Sequence, residues 1–167
     1  MTDQPFTHLD SQGQAIMVDV GSKEPTNRLA VARGEIAVGP AVMRAIVNQS
    51  VKKGDVLAVA RVAGIMGAKR TPLLIPLCHQ VMITKCSVDF ELDEAQEKVV
   101  VICQVASQGQ TGVEMEALTG VAAALLTIYD MCKALDKGMV MGPIFLTDKS
   151  GGQSGDFHRP AATSTGP

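Results

Sequence analysis

The sequence is short of aromatic rings and of charge: it has no Trp, one Tyr and four Phe, and charged residues make up 19% against 46% hydrophobic. An average soluble domain is about 25% charged, so the shortfall points to surface covered by other subunits. A formal net charge of −2 and 3% aromatics argue against a nucleic-acid surface, which needs basic patches and stacking rings. Paired cysteine spacing is also missing: Cys78, Cys86, Cys103 and Cys132 occur singly, which disfavours a zinc site or a redox motif and leaves buried, reduced thiols as the expectation. The longest nearly uncharged run, 117–129, is shorter than the roughly 20 residues of a membrane span. The first residues, "MTDQPFTHLDSQGQ", lack the basic start and apolar centre of a secretory signal, so a cytoplasmic protein is expected. The phosphate-loop spacing GxxxxGK[ST] is absent as well.

What is present fits one domain over residues 1–157, with 158–167 expected as a disordered tail because the end is rich in Gly, Ser and Pro. "AIMVDV" reads as a short strand or extended arm, and "NRLAVARGEIAVG" as a strand. Gly39 and Pro40 mark a helix start, with Val42, Met43, Ile46 and Val47 as its buried stripe. Gly54 turns the chain and Asp55 caps a second helix to about Arg70, which Pro72 and Pro76 end. From Met82 to Leu92 the alternation is that of a half-exposed strand, with Met82, Thr84, Cys86, Val88, Phe90 and Leu92 on one side. "DEAQE" then turns into the apolar strand "KVVVICQVAS", a long helix follows to Gly138, and "MVMGPIFLTDKS" is the last strand. This order predicts an α+β fold: a ferredoxin-like β-α-β-β-α-β sandwich with an extra helix, its antiparallel sheet packed against helices.

The long helix carries the polar candidates. At about 100° per residue, Ala117, Val121, Ala124, Ile128, Met131, Cys132 and Leu135 form one apolar stripe, while Gly112, Glu116, Thr119, Ala123, Asp130 and Lys133 lie opposite. That second face, small in its middle, predicts close contact with another subunit or a ligand. Asp130 and Lys133 are three apart and can meet, which by itself describes an ordinary surface ion pair. Glu116 lies about 21 Å along the helix from Asp130, too far for both to share one small group. Cys78 and His79 stand in a proline-flanked loop, where a structural histidine is the commoner outcome and a metal site or thiolate nucleophile the rarer one. "KKGD" reads most simply as a turn and cap, and "KSGGQSGD" as a flexible tail or, with Lys149, a backbone nest for phosphate.

Taken in order, "MVDV", "KKGDV", "LIPLCHQV", "TGVEMEALTGVAAALLTIYDMCKA" and "KSGGQSGDF" closely resemble the cyclic pyranopterin monophosphate synthase family of molybdenum-cofactor biosynthesis, often called MoaC. The resemblance implies a lyase that converts (8S)-3′,8-cyclo-7,8-dihydroguanosine 5′-triphosphate to cyclic pyranopterin monophosphate and releases diphosphate by Lys/Asp acid–base chemistry. It implies Lys53, Asp130 and Lys133 as catalytic residues. It also implies Leu77, Cys78, His79, Glu114, Met115 and Glu116 as substrate contacts, with Arg28 and Lys23 in a similar N-terminal region proposed for the triphosphate. Were Lys53 to sit beside Lys133, their repulsion would lower one amine towards neutrality and make it a base. No protein-bound metal or cofactor is implied, although Mg2+ can accompany the triphosphate, and the expected assembly is a hexamer of paired dimers with sites at subunit boundaries.

Overall fold

The structure is a computed structural model that describes residues 12–160. Its elements in chain order are β1 (Thr26–Ala37), α1 (Gly39–Val47), α2 (Val56–Lys69), α3 (Thr71–Leu74), β2 (Ile83–Asp93), β3 (Lys98–Gly109), α4 (Glu114–Cys132), β4 (Val140–Ser150) and β5 (Phe157–His158). The five strands form one sheet in the order β2-β3-β1-β4-β5, with every neighbouring pair antiparallel. This is the ferredoxin-like α+β arrangement: β3 inserts between β1 and β2, so the two strands joined through the α1–α3 crossover are not neighbours. The order contains two elements beyond those expected, the one-turn α3 and the two-residue β5. Pro72 starts α3 at a first-turn position, where its missing amide hydrogen costs nothing.

Local chemistry explains the element boundaries. Gly39 takes φ +71°, a left-handed value that favours glycine, and Pro40 follows in the first turn of α1. Asp55 caps α2, its carboxylate accepting from the Ala58 amide at 3.0 Å. Burial along β1 alternates, with Ala30, Ala32, Gly34 and Ile36 facing the helices. β2 lies at the sheet edge, so only its middle reaches the core: Val88 is fully buried, whereas Met82 and Leu92, expected on the same inward side, stand exposed.

The core lies between the sheet and α4, where Ile36, Val101, Leu125 and Ile128 are fully buried, each contributing about 1.5–3 kcal/mol of transfer free energy. α4 is long and apolar enough to cross a membrane, but half of its apolar stretch is buried inside the fold. Its small face meets α2 of the same chain, in place of the expected contact with another subunit or a ligand. A Cβ on Gly64 would lie 3.0 Å from the Gly120 carbonyl oxygen, and one on Gly67 would lie 2.6 Å from the Ala123 Cβ. Glycines in both helices thus permit close backbone approach. The helix also ends earlier than expected, at Cys132, which leaves Leu135 exposed instead of in the apolar stripe. Val47 at the end of α1 is likewise exposed.

At the chain ends, "AIMVDV" is an extended arm with one bridge residue at Ala15. The tail expected from 158 onward begins in β5, where His158 pairs with Asp148; residues 161–167 lie outside the described part.

Candidate functional site

The candidate residues gather at the two ends of α4. At its C-terminal end, Lys53 stands in the turn before α2, which Gly54 makes with φ +102° and Asp55 anchors by its cap. Lys53 Nζ donates to Asp130 Oδ2 and to the Asp130 carbonyl oxygen, both at 2.8 Å. The second bond satisfies one of the carbonyls that a helix end leaves without an intrahelical donor. Lys133 Nζ lies 2.8 Å from Asp130 Oδ1. One carboxylate therefore holds two ammonium groups, one on each oxygen.

The electrostatics follow from that bridge. Hydrogen bonds from Lys133 and then Lys53 hold the Asp130 carboxyl down at about 2, so it is ionised throughout the neutral range. Lys133 is not an amine lowered towards neutrality: its hydrogen bond to Asp130 and the attraction of that charge raise its pKa. Repulsion between two amines lowers a pKa, but a carboxylate bonded between them opposes that shift and here outweighs it at Lys133. The arrangement holds Lys133 as an ammonium group and not as a free base. The side chains of Lys53, Asp130 and Lys133 are 47%, 56% and 50% exposed, so the cluster is open on the surface of the single chain.

At the N-terminal end of α4 lie two connected hollows. The larger, about 860 Å3, is bordered by Lys23, Arg28, Glu114 and Lys149 together with the glycine-rich turn at Gly152, Gln153 and Ser154. The smaller, about 160 Å3, is bordered by Leu77, Cys78, His79, Met115 and Glu116, and both share Thr111, Gly112 and Glu114. The structure thus brings the "LCH" loop, the "EME" turn and the N-terminal cations into one region. Lys149 and Ser154 lie within the glycine-rich stretch "KSGGQSGD" and Thr111 opens the "TGVEMEALTG" stretch, although neither hydroxyl residue is singled out by the sequence.

Within this region, Lys23, Arg28 and Lys149 share the lining with the carboxylates of Glu24, Glu114 and Glu116. Lys149 Nζ lies 3.6 Å from Glu114 Oε1 and also hydrogen-bonds Ser154 Oγ. Arg28 Nε donates to the Gly109 carbonyl at 3.1 Å, which fixes its guanidinium beside Gly152. His79 Nε2 lies 2.7 Å from the Val18 carbonyl oxygen, to which it donates. That ties the N-terminal arm to the loop and leaves Nδ1 as the ring atom available to a ligand. The structural role expected of a loop histidine is therefore present.

Glu116 departs from its expected place on the polar face. It is 3% exposed, at the margin of the buried arc of α4 beside the Leu77–His79 loop. Burial raises its pKa, its own backbone amide opposes the shift, and the nearby Glu114 charge adds to it. Burial, followed by the Glu116 charge, raises the Cys78 thiol above its ordinary value, which disfavours a thiolate nucleophile. Among the described residues no group of three or more His, Cys, Asp or Glu side chains is placed to hold a metal ion.

Sequence relatives give this geometry a context. Residues 17–152 match the MoaC family. The chain is 55% identical over 156 residues to the cyclic pyranopterin monophosphate synthase of Rhodospirillum rubrum, covering 93% of this chain and 94% of that one. It is 57% identical over 155 residues to the protein of the same name from Clostridium botulinum, covering 93% and 98%. With the corresponding protein of Pelotomaculum thermopropionicum it shares 56% identity over 154 residues, covering 92% and 91%. A match of this extent, spanning both ends of α4 and the turn that holds Lys53, makes the chain a member of the MoaC family.

Proposed function

We propose that this protein is a cyclic pyranopterin monophosphate synthase of molybdenum-cofactor biosynthesis: a cytoplasmic lyase that rearranges (8S)-3′,8-cyclo-7,8-dihydroguanosine 5′-triphosphate to cyclic pyranopterin monophosphate and releases diphosphate. The observation that carries this reading is identity of at least 55% over at least 92% of the chain to three proteins of that name.

In this reading Asp130 and Lys133 take the acid and base steps near the purine-derived ring, and the Asp130 carboxylate holds both Lys133 and Lys53 in position. Lys53 is the second proton-handling amine once substrate displaces it from the carboxylate. Closing the cyclic phosphate forms a new oxygen bond to the α-phosphorus and breaks its bond to the oxygen of the departing diphosphate. Negative charge then collects on that leaving group, and cations placed in advance stabilise it. Arg28, Lys23 and Lys149 suit this role, and the planar guanidinium of Arg28 suits bidentate phosphate pairing. Glu116, as carboxylate, accepts from the donor edge of a guanine-type ring, with Leu77, Cys78, His79 and Met115 enclosing the ring and Glu114 balancing Lys149. No cofactor is needed, and Mg2+ enters only as a companion of the triphosphate.

Glu116 and Asp130 are separated by about 21 Å of helix, and the Lys53 cluster is half exposed. We therefore propose a site shared between subunits, in a hexamer of paired dimers. The exposed apolar residues Val59, Val62 and Met66 on α2 and Leu73 on α3 support burial in such an assembly.

The test is to give the purified protein the cyclised triphosphate and to follow diphosphate release and pterin formation together. Both products are expected, and Lys53→Ala and Asp130→Asn should abolish them while leaving fold and assembly intact. A folded protein that binds the triphosphate but yields neither product would instead be a nucleotide-binding protein.

A further inference from the structure

The MoaC match ends at Gly152, yet the chain continues across the rim of the larger hollow and returns to the sheet as β5. The returning segment is tied in several ways. Asp148 pairs with His158 and Lys149 with Phe157 in the ladder. His158 Nδ1 lies 2.7 Å from Asp148 Oδ1. The Arg159 amide donates to the Thr147 carbonyl at 2.7 Å, and its Nε donates to the Leu146 carbonyl at 2.8 Å. The Arg159 guanidinium also lies over the Phe145 ring, 4.9 Å from its centre, within the range of a cation–π contact.

Between these ties and the end of β4 runs the turn at 151–156. Gly151, Gly152 and Gly155 take φ values of +88°, +84° and +68°, so this backbone is one that glycine reaches at little steric cost but with the largest loss of freedom. Three contacts span the turn: the Gly151 amide donates to Asp156 Oδ1 at 3.1 Å, the Gly155 amide donates to the Gly152 carbonyl at 3.2 Å, and Lys149 Nζ bonds Ser154 Oγ. Gly152 lies so close to the Arg28 guanidinium that a Cβ there would overlap it. The shape of the turn therefore sets where Arg28 and Lys149 sit. A two-residue strand adds few ladder bonds of its own, which leaves the side chains of His158 and Arg159 to hold the far end.

We propose that residues 157–159 form a strap that pre-shapes the anion-binding wall of the hollow, with His158 and Arg159 as positioning residues for the triphosphate end of the substrate. Without the strap the glycine-rich turn must be ordered by the ligand itself, which weakens binding. Arg28 and Lys149 remain to stabilise the departing diphosphate once the bound ligand has ordered the turn, so the strap acts on capture and not on the chemical step. This rests on the reading of the hollow as the triphosphate site.

The experiment compares wild type with Arg159→Ala, Arg159→Lys and His158→Ala/Arg159→Ala in steady-state turnover, with inorganic tripolyphosphate as a competing probe. Arg28→Ala and Lys149→Ala serve as controls on the hollow itself. We expect the two alanine variants to raise KM and the tripolyphosphate inhibition constant together by about tenfold while kcat stays within about twofold, the pattern of lost uniform binding. Arg159→Lys, which keeps a cation beside the Leu146 carbonyl and the Phe145 ring, should recover part of the loss. Melting midpoints should be unchanged, and a variant that unfolds is replaced by Arg159→Lys as the deciding case. Amide hydrogen exchange across 151–156 should quicken in the alanine variants, a readout that does not depend on turnover. If Arg28→Ala and Lys149→Ala weaken tripolyphosphate but the Arg159 variants do not, the strap is wrong and the hollow stands. If none of them changes the probe, the triphosphate does not bind there and both readings fall. A fall in kcat at constant KM would also overturn the strap.

Discussion

Gly67→Ala tests the close packing that holds the two halves of the helical layer together. The added Cβ would lie 2.6 Å from the Ala123 Cβ and 3.2 Å from the Thr119 carbonyl oxygen. Carbon atoms settle at about 3.5–4.0 Å, so the helices must separate by about 1 Å, and neither neighbour is a flexible side-chain end that can swing aside. Overpacking of this kind costs about 1–3 kcal/mol, and replacing a helical glycine by alanine returns about 1 kcal/mol of propensity. The net loss is about 0–2 kcal/mol, which in a chain of this size lowers the melting midpoint by up to about 8 °C. Turnover per folded molecule should change little, because Gly67 lies about 16 Å along α2 from the turn that carries Lys53. Thermal melting by circular dichroism reads the loss. The double variant Gly67→Ala/Ala123→Gly should recover more than the sum of its parts, with a coupling of about 1 kcal/mol. A higher melting midpoint in Gly67→Ala, or strict additivity in the double variant, would refute the packing account.

Asp130→Asn should lower kcat by about 10²–10⁴, the usual reach of a positioned proton-transfer group, with little loss of stability, because both ion pairs are exposed. Its small electrostatic contribution has a definite sign: the folded carboxyl titrates at about 2, below the unfolded value of about 3.9. That contribution is complete above about pH 4 and disappears as pH falls towards 2, so acid melts of wild type and variant should converge only in that window. Glu116→Gln has the opposite sign. The folded pKa of Glu116 is raised by burial, so the cost of its charge is absent below about pH 4 and grows as pH rises through the folded value. The variant should therefore melt higher than wild type at neutral pH, match it in acid, and bind substrate more weakly. A variant that melts lower at neutral pH would show that the carboxylate is fully compensated where it lies.

Where the sequence was legible, local rules were enough. The strand expected over 82–92 and the Pro40 and Asp55 helix starts need no distant partner to be read, and each element forms close to where its residues place it, although Met82 and Leu92 at the ends of that alternation stand exposed. Helical periodicity reached its limit at Glu116. The residue sits at the margin of the buried arc, and only the arrival of the Leu77–His79 loop decides that it is covered. The small face of α4 met the same limit: Thr119 and Ala123 signalled close approach, but the sequence gives no sign that Gly67 of the same chain makes it. The joining of Lys53 to Asp130, 77 positions apart, is not a matter of spacing at all. Family resemblance named both residues, whereas the carboxylate bridge that raises the Lys133 pKa required their geometry.

The proposed division of the site between subunits has a quantitative consequence. In a two-fold pair each site would take Lys53, Asp130 and Lys133 from one copy and the Arg28, Lys149 and Glu116 region from its partner. A pair built from one Asp130→Asn copy and one Arg28→Ala copy then holds one site with both defects and one with neither. Random pairing of equal amounts makes half of the pairs mixed, and half of the sites in those are intact, so about a quarter of wild-type activity should return from two variants that are each nearly inactive. Co-expression with different affinity tags, followed by turnover assays on the doubly tagged fraction, measures this directly. That fraction contains no unmixed two-fold pairs if the assembly is dimeric, and its activity should then approach one half. Mixed assemblies no more active than their parents would place the whole site within one chain, and the two ends of α4 would then need a ligand long enough to span them.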